Sequence, residues 1–206
     1  MLIEICVDSA AGLEAALQHG AERLEVCSRL DLGGLTPTVE LLDAALARGV
    51  RVHAMVRPYA NPSFVPDDAE FEELRADLAR VKAQGAHGVV LGILKPQRVV
   101  DVLRTGELVR LARPLPVTFH RAFDRVVDPR SALEDLIELG IERVLTSAGA
   151  PTAVDGMAAL RELVQQARGR IVVMPGGGVR EQNAAEIVAR TGACELHGSV
   201  PFRWPT

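Results

Sequence analysis

The stretch VTFHRAFD, residues 117–124, begins as an apolar strand and ends in a histidine, an arginine and an aspartate. Side chains alternate between the two faces of a strand, so Thr118 and His120 share one face while Phe119 and Arg121 share the other. A buried strand that ends in charged side chains indicates that its carboxyl end opens onto a functional site. The fold therefore depends on how many such strands the chain has and how they are connected.

Seven further stretches have the same β-rich character, and segments with leucine or alanine at helical spacing separate them. The eight predicted strands are 2–7, 23–27, 51–57, 87–93, 116–121, 143–147, 170–175 and 194–199. The predicted helices lie near 10–19, 38–48, 68–84, 98–112, 130–139, 153–168 and 180–190. Several of them end at a glycine just before the next strand, which is a common helix terminus.

Alternating strands and helices imply parallel pairing, because a crossover helix returns the chain to the same end of the sheet. Eight parallel strands with right-handed crossovers close into a (β/α)8 barrel of the TIM type, and the sequence predicts one such α/β domain over residues 1–206. An open doubly wound sheet is the alternative, although no GxGxxG fingerprint follows the first strand. After Ser199 only VPFRWPT remains, so the barrel is expected to lack a full eighth helix.

Composition and charge exclude several classes of partner. The net charge of −4, the 3% aromatic content and the absence of a lysine and arginine cluster argue against nucleic acid. No apolar run approaches the ~20 residues of a membrane span, and the amino terminus has no basic leader. Three widely spaced cysteines are predicted to be reduced thiols. The sequence therefore predicts a cytoplasmic protein whose partner is a metal ion or a small molecule.

The carboxyl ends of all strands in such a barrel meet at one rim, where the active site lies. Counting faces along the predicted strands places acidic, imidazole and guanidinium side chains at this rim or inside the barrel. The predicted catalytic or ligand-binding residues are Glu4, Glu25, His53, Arg57, His120 and His197. A structural role is the alternative for Glu4 and Glu25, which would then pair with Arg57 or a histidine to hold the barrel together.

Eight motifs make the chain resemble the copper homeostasis protein CutC family. They are IEICVDS (3–9), LEVCS (24–28), GGLTPT (33–38), VHAMVRP (52–58), VTFHRAFD (117–124), RVLTSAG (143–149), PGGGV (175–179) and ELHGS (195–199). The resemblance runs through nearly the whole chain. It implies a cytosolic TIM-type barrel with a role in copper handling.

The sequence contains soft sulfur side chains that suit a copper site. Cu(I) prefers soft thiolate and thioether ligands, and Cys6, Cys27 and Met55 lie on the interior face of three consecutive predicted strands. These three residues are the predicted copper ligands. Packing in the core is the alternative, because free cysteine and methionine behave as hydrophobes. A harder ion such as zinc or manganese would instead use the carboxylates and imidazoles of the rim.

A barrel enzyme is the alternative function. PGGGV (175–179) follows the seventh strand and HGS (197–199) ends the eighth, where many TIM barrels bind phosphate through backbone N–H groups. The predicted anion-binding residues are Gly176, Gly177, Gly178, Ser199, Thr146 and Ser147. Such a site would suit a lyase or isomerase that acts on a small anionic substrate, such as a phosphorylated one, with Glu25 or His120 as the proton carrier. The sequence does not decide whether the protein is an enzyme.

The expected absence of an eighth helix leads to a prediction about assembly. That helix would cover the outward faces of strands eight and one, which carry apolar side chains: Ile3, Ile5, Val7, Cys194 and Leu196. Phe202 and Trp204 alone would leave a bare patch on the order of a few hundred Å², a size that marks interaction surfaces. We therefore predict a homodimer.

Overall fold

Strands and helices alternate along the computed structural model, which describes residues 1–199. The strands are β1 (Leu2–Val7), β2 (Arg23–Val26), β3 (Arg51–Met55), β4 (Gly88–Leu91), β5 (Val117–Phe119), β6 (Arg143–Thr146), β7 (Val172–Pro175) and β8 (Glu195–Ser199). The helices are α1 (Ala10–Gln18), α2 (Val39–Leu46), α3 (Asp68–Ala83), α4 (Val102–Ala112), α5 (Pro129–Glu138), α6 (Met157–Ala167) and α7 (Glu181–Thr191). Short 3-10 segments follow β2 (Leu30–Leu32) and β5 (Arg121–Arg125).

All strand pairs are parallel, and the strands follow the order β7-β6-β5-β4-β3-β2-β1-β8 in one sheet. The two end strands, β7 and β8, lie against each other, so the sheet curls into a nearly closed barrel. The predicted (β/α)8 barrel is confirmed, and the open doubly wound sheet is wrong. The prediction that a full eighth helix is missing concerns residues 200–206 and lies outside the described residues.

Five of the predicted strands, the second to the sixth, extend further at their carboxyl ends than the observed ones. At β5, the N–H of His120 still donates to the carbonyl of Leu91, but the backbone then turns into the 3-10 segment. At β3, the N–H of Val56 donates to the carbonyl of Val90 before the chain leaves the sheet. His120 therefore lies at the rim, where the chain leaves the barrel wall.

Helices α1 to α5 begin where their sequences supply capping side chains. Ser9 and Thr38 accept hydrogen bonds from backbone N–H groups in the first turns of α1 and α2. Asp67 and Glu70 form a reciprocal capping box at the start of α3. Helix α3 is the longest of these helices, with 16 residues. Within residues 1–199, no helix combines the length and the apolar character needed to cross a bilayer.

The outward faces of β1 and β8 differ from the prediction. Ile3, Ile5, Val7 and Leu196 are all buried, and Cys194 is exposed. Helix α1 packs against β1, which contributes to this burial. The expected bare apolar patch is therefore wrong for the described strands. The homodimer itself stays a prediction.

Glycines in and after β4 make room for two histidines inside the barrel. A Cβ atom at Gly88 would lie 2.6 Å from the ring of His53, and one at Gly92 would lie 2.6 Å from Nδ1 of His120. Real Cβ atoms do not approach other atoms so closely, so the missing side chains are a packing requirement. The motif HGVVLG thus places its two glycines beside the imidazoles of the neighbouring strands.

We expect Gly92→Ala to reduce the free energy of unfolding by about 1–3 kcal/mol, because the new methyl group overpacks the site against the imidazole of His120. Urea denaturation measures the effect. A double-mutant cycle with His120→Ala is the control, since removal of the ring should cancel most of the cost. An equal cost in both backgrounds would show that the ring is not the obstacle.

Candidate functional site

A cavity of about 230 Å³ opens at the carboxyl-end rim of the barrel. Its wall includes interior side chains of β1, β2, β3 and β8 together with residues that follow β5 and β7. Eight of the predicted site residues line it: Cys6, Glu25, Met55, His120, Gly177, Gly178, His197 and Ser199. The rim therefore brings together residues from both ends of the chain.

Closer to the amino ends of the strands, the interior holds an ion network formed by Glu4, Arg23, Arg143, Glu195 and His197. Nε of Arg23 lies 2.5 Å from Oε2 of Glu4, and its Nη2 lies 2.6 Å from Oε2 of Glu195. Nε of Arg143 is 2.6 Å from the same oxygen of Glu195. Burial of charge is costly unless each charge is paired, and here the two guanidinium groups face two carboxylates.

His197 joins the network through Glu4. Nδ1 of His197 lies 2.9 Å from Oε1 of Glu4. Burial alone would raise the pKa of Glu4, but the hydrogen bond with His197 and the charge of Arg23 hold it well below its ordinary value. Burial opposes the charged form of His197, yet Glu25 and Glu4 raise its pKa above the usual value. Glu4 is thus paired with Arg23 and His197 and not with Arg57.

Only one of the two carboxylate oxygens of Glu25 has a hydrogen-bond partner among the described residues. Its Oε1 accepts a hydrogen bond from Sγ of Cys6 at 3.2 Å and lies 4.0 Å from Nε2 of His197, whereas Oε2 is buried without a partner among the described residues. Burial raises the pKa of this carboxyl, against the opposing charge of His197. Of the predicted acids, Glu25 is therefore the one left with a free oxygen beside the cavity.

The three predicted copper ligands form one sulfur cluster, Cys6, Cys27 and Met55. The two Sγ atoms lie 3.6 Å apart, and Met55 packs with both cysteines in a buried group. Gly34, in the loop after β2, covers this cluster: a Cβ atom there would lie 3.3 Å from Cε of Met55 and 3.6 Å from Sγ of Cys27. The hydrogen bond with Cys27, together with burial, raises the pKa of Cys6.

A second set of potential metal ligands overlaps this cluster. Ligand atoms of Cys6, Glu25 and His197 all lie within 4.8 Å of one another. The carboxylates and imidazoles predicted to bind a harder ion therefore come together only in part. Glu4 forms an ion pair with Arg23, and Cys6 is the residue that lies beside Glu25 and His197.

His53 and His120 are buried and uncharged. Burial lowers the pKa of His53 to about 4 and that of His120 to about 3, the latter with a further contribution from the charge of Arg57. Nδ1 of His53 lies 3.7 Å from Oε2 of Glu4, too far for a hydrogen bond. Nδ1 of His120 accepts a hydrogen bond from the N–H of Ala122, so its remaining proton lies on Nε2.

Arg57 joins two loops at the rim. Its guanidinium donates to the carbonyls of Leu32 and Gly34 in the loop after β2, and to that of Asn61 in the loop after β3. It also stacks over the ring of Phe64, 4.9 Å from the centroid. Arg57 is predicted from the sequence as a catalytic or pairing residue, and the structure instead places it where it orders the backbone over the cavity.

The predicted anion-binding residues divide into two groups. Gly177, Gly178 and Ser199 line the cavity, and Gly176 directly precedes the two lining glycines. Thr146 and Ser147 do not line it. The hydroxyl of Thr146 donates to Oδ1 of Asp124, and that of Ser147 lies 2.6 Å from the carbonyl of Ala150 and 3.1 Å from Oδ2 of Asp124.

Asp124 is a residue that the sequence reasoning did not select. Its Oδ1 also accepts from the backbone N–H groups of Ser147 and Gly149, and its Oδ2 accepts from Nε of Arg121 at 2.7 Å. This carboxylate joins the segment after β5 to the loop after β6. The signal for it was its place in VTFHRAFD, four residues beyond His120.

Three charged residues of the ion network are not among the predicted site residues: Arg23, Arg143 and Glu195. The alternation of side chains along a strand indicates that two of them point into the barrel, because Arg23 shares a face with Glu25 and Glu195 shares a face with His197. Each lies at the first position of its strand, where the sequence suggests a solvent-exposed end. In the barrel these ends turn inward, and Arg23 is only 3% exposed.

Comparison with known proteins places this geometry in a family. The model of the CutC family matches residues 1–201. The human copper homeostasis protein cutC homolog is 44% identical over 199 residues, which cover 96% of this chain and 72% of the human protein. The family protein CutC of Caulobacter vibrioides is 45% identical over 199 residues, covering 97% and 81% of the two chains.

A solved structure agrees at the level of the fold. The crystal structure of the copper homeostasis protein CutC from Streptococcus agalactiae superposes with a TM-score of 0.90 and 29% sequence identity. The match covers 96% of this chain and 98% of the other, so the whole barrel is shared.

We expect Arg23→Met to reduce the free energy of unfolding by about 3–5 kcal/mol, because it leaves the buried carboxylate of Glu4 without its guanidinium. Chemical denaturation measures the loss. Arg48→Met is the matched control: Arg48 pairs with Glu14 at the exposed surface, and its loss should cost less than about 1 kcal/mol. Similar small losses in both variants would contradict the structural role of the network.

We expect acidification from pH 7 to pH 5 to destabilise the protein. The folded-state pKa values of His120 and His53, about 3 and about 4, lie below the ordinary value of 6.5. The unfolded chain therefore binds protons in this range that the folded chain does not, which costs about 2 kcal/mol per histidine at pH 5. His197, with its raised pKa, acts in the opposite direction. His120→Asn should remove about 2 kcal/mol of the pH dependence in urea titrations, and an unchanged slope would contradict the buried neutral imidazole.

Proposed function

Because the chain belongs to the CutC family, we propose that it is a copper homeostasis protein that binds Cu(I) inside the barrel through the sulfur cluster. The 3.6 Å separation of the buried thiols of Cys6 and Cys27 carries the proposal. Cu(I) is a soft ion that selects thiolate and thioether ligands. Two thiols with the thioether of Met55 beside them supply such a set.

Proton release accompanies binding in this proposal. A thiol must lose its proton to become a metal ligand, and the raised pKa of Cys6 means that the metal-free cluster holds that proton. The carboxylate of Glu25 already accepts a hydrogen bond from Sγ of Cys6. Glu25 therefore provides the first acceptor for the proton that the metal displaces.

The proposal includes the cytoplasmic location predicted from the sequence. Cys6 and Cys27 are free and buried although their sulfur atoms are close together. Thiols persist in the reducing cytosol, whereas oxidising compartments convert them to disulfides. A reducing compartment also keeps copper in the Cu(I) state that the sulfur cluster suits.

We expect Cu(I) affinity to fall by at least ~10-fold in Cys6→Ser and in Cys27→Ser, because each variant removes one soft ligand. Competition with a chromogenic Cu(I) chelator under anaerobic reducing conditions measures the change. Cys194→Ser is the matched control, since this third cysteine is exposed and outside the cluster. Unchanged affinity in both cluster variants, or an equal loss in the control, would overturn the proposed copper site.

One further pair of variants separates this site from the overlapping set of Cys6, Glu25 and His197. Glu25→Gln keeps the size of the side chain but removes the carboxylate, and should leave Cu(I) affinity within about 3-fold. Cys27→Ser should leave Zn(II) binding unchanged if the overlapping set holds that ion. A larger effect of Glu25→Gln than of Cys27→Ser on Cu(I) would assign the metal to the harder ligands.

A further inference from the structure

The cavity has features that copper binding does not use. His120, Arg121 and the glycines Gly177 and Gly178 all border it, and none of them belongs to the sulfur cluster. His120 is 4% exposed and its Nε2 has no hydrogen-bond partner among residues 1–199. A buried donor without a partner is costly and uncommon in proteins. Such a group at the wall of a cavity indicates that a ligand completes its hydrogen bonding.

The protonation state of His120 is fixed by its surroundings. The N–H of Ala122 donates to Nδ1 at 3.2 Å, so Nδ1 carries no proton and Nε2 carries one. With a pKa of about 3, the imidazole stays neutral near pH 7. A neutral imidazole N–H donates to a carbonyl or hydroxyl oxygen, and a neutral histidine polarises a substrate carbonyl in this way in a well-studied TIM-barrel isomerase.

The other side of the cavity suits an anion. Gly177 and Gly178 adopt φ values of +96° and +71°, and the hydrogen bonds within the described residues leave their two N–H groups without an acceptor. Helix α7, with 11 residues, begins three positions later and directs its positive end toward the same turn. The turn packs on Arg121: a Cβ atom at Gly177 would lie 3.1 Å from Nη1 of that guanidinium.

Charge orients a ligand across the cavity. Arg121 and Arg180 line the cavity near the glycine turn, whereas Glu25 lines it from β2. An anionic group is attracted to the arginines and repelled by the carboxylate. The cavity volume of about 230 Å³ lies below the roughly 300–1,000 Å³ of pockets that hold drug-sized ligands, which suits a short metabolite.

We propose that the cavity binds a short phosphorylated carbonyl compound of the size of a triose phosphate. The phosphate lies against the N–H groups of Gly177 and Gly178 and the guanidinium of Arg121. The carbonyl oxygen accepts a hydrogen bond from Nε2 of His120. The proposed contacts use none of the copper ligands, although Cys6 and Met55 line the same cavity, and they add a second, small-molecule function to the same rim.

Isothermal titration calorimetry of the metal-free protein with dihydroxyacetone phosphate tests the proposal. We expect saturable binding, at least ~100-fold weaker binding of unphosphorylated dihydroxyacetone, and weaker binding of inorganic phosphate, which lacks the oxygen that His120 contacts. No binding of dihydroxyacetone phosphate at millimolar concentration would overturn the proposal. Equal affinity for inorganic phosphate would also overturn it, because the carbonyl contact would then contribute nothing.

Two variants with matched controls locate the ligand. His120→Asn keeps an oxygen in the place of Nδ1 to accept from Ala122 but removes the Nε2 donor, and should weaken binding by about 10-fold. His87→Asn is its control, since Nδ1 of His87 likewise accepts a backbone N–H, from Val52, at the opposite end of β4. Arg121→Gln should weaken binding by at least ~10-fold, and Arg125→Gln, on the same 3-10 segment, should not.

The same titration separates this proposal from the copper site. Cys27→Ser should retain the affinity for dihydroxyacetone phosphate, since Cys27 does not line the cavity. Equal losses in His120→Asn and His87→Asn, or in Arg121→Gln and Arg125→Gln, would show a general effect on the fold or on charge and would overturn the assignment.

Discussion

The ion pair between Arg143 and Glu195 closes the barrel from within, and the arrangement of the site depends on it. Across the described residues, the backbone ladder runs from β7 round to β8, and no ladder joins these two end strands. Arg143 on β6 reaches Glu195 on β8, and Arg23 on β2 reaches both Glu195 and the sulfur of Met174 on β7. Side chains thus span the seam that the backbone leaves open. Buried ion pairs stabilise little relative to apolar packing, so their contribution here is to fix which strands meet.

This network divides the barrel interior into two layers. Glu4 pairs in register with Arg23, and two residues further along β1, Cys6 pairs in register with Glu25. The charged layer therefore lies toward the amino ends of the strands, and the sulfur cluster and the cavity lie toward the rim. Toward the rim, Glu25 and His120 keep buried polar atoms that have no partner among the described residues. Such atoms are uncommon in a protein core and suit a binding site.

The period-two pattern was sufficient to place Glu4, Glu25, His53 and His197 inside the barrel, because the face of a strand follows from sequence alone. It could not identify their partners. Those depend on the stagger between strands, and the stagger brings Arg23, not Arg57, to Glu4. Thr146 and Ser147 illustrate the same limit, since both lie beside the rim but their hydroxyls bind Asp124 on another segment. Sequence patterns give the direction of a side chain, while its contacts come from packing between distant segments.

The two proposed functions occupy different parts of one rim, and the structure explains how both can be present. Soft ligands lie beneath the loop after β2, where Gly34 closes over Cys27 and Met55. Phosphate donors lie across the cavity, after β7. A monovalent cation that displaced the single thiol proton of Cys6 would leave the net charge of that layer unchanged. Copper binding would not change the protonation of His120, because the N–H of Ala122 and burial keep this imidazole neutral with its proton on Nε2. Metal handling and recognition of a small anion are therefore compatible in a single barrel, where Cys6, Glu25 and Met55 lie between the two proposed sites.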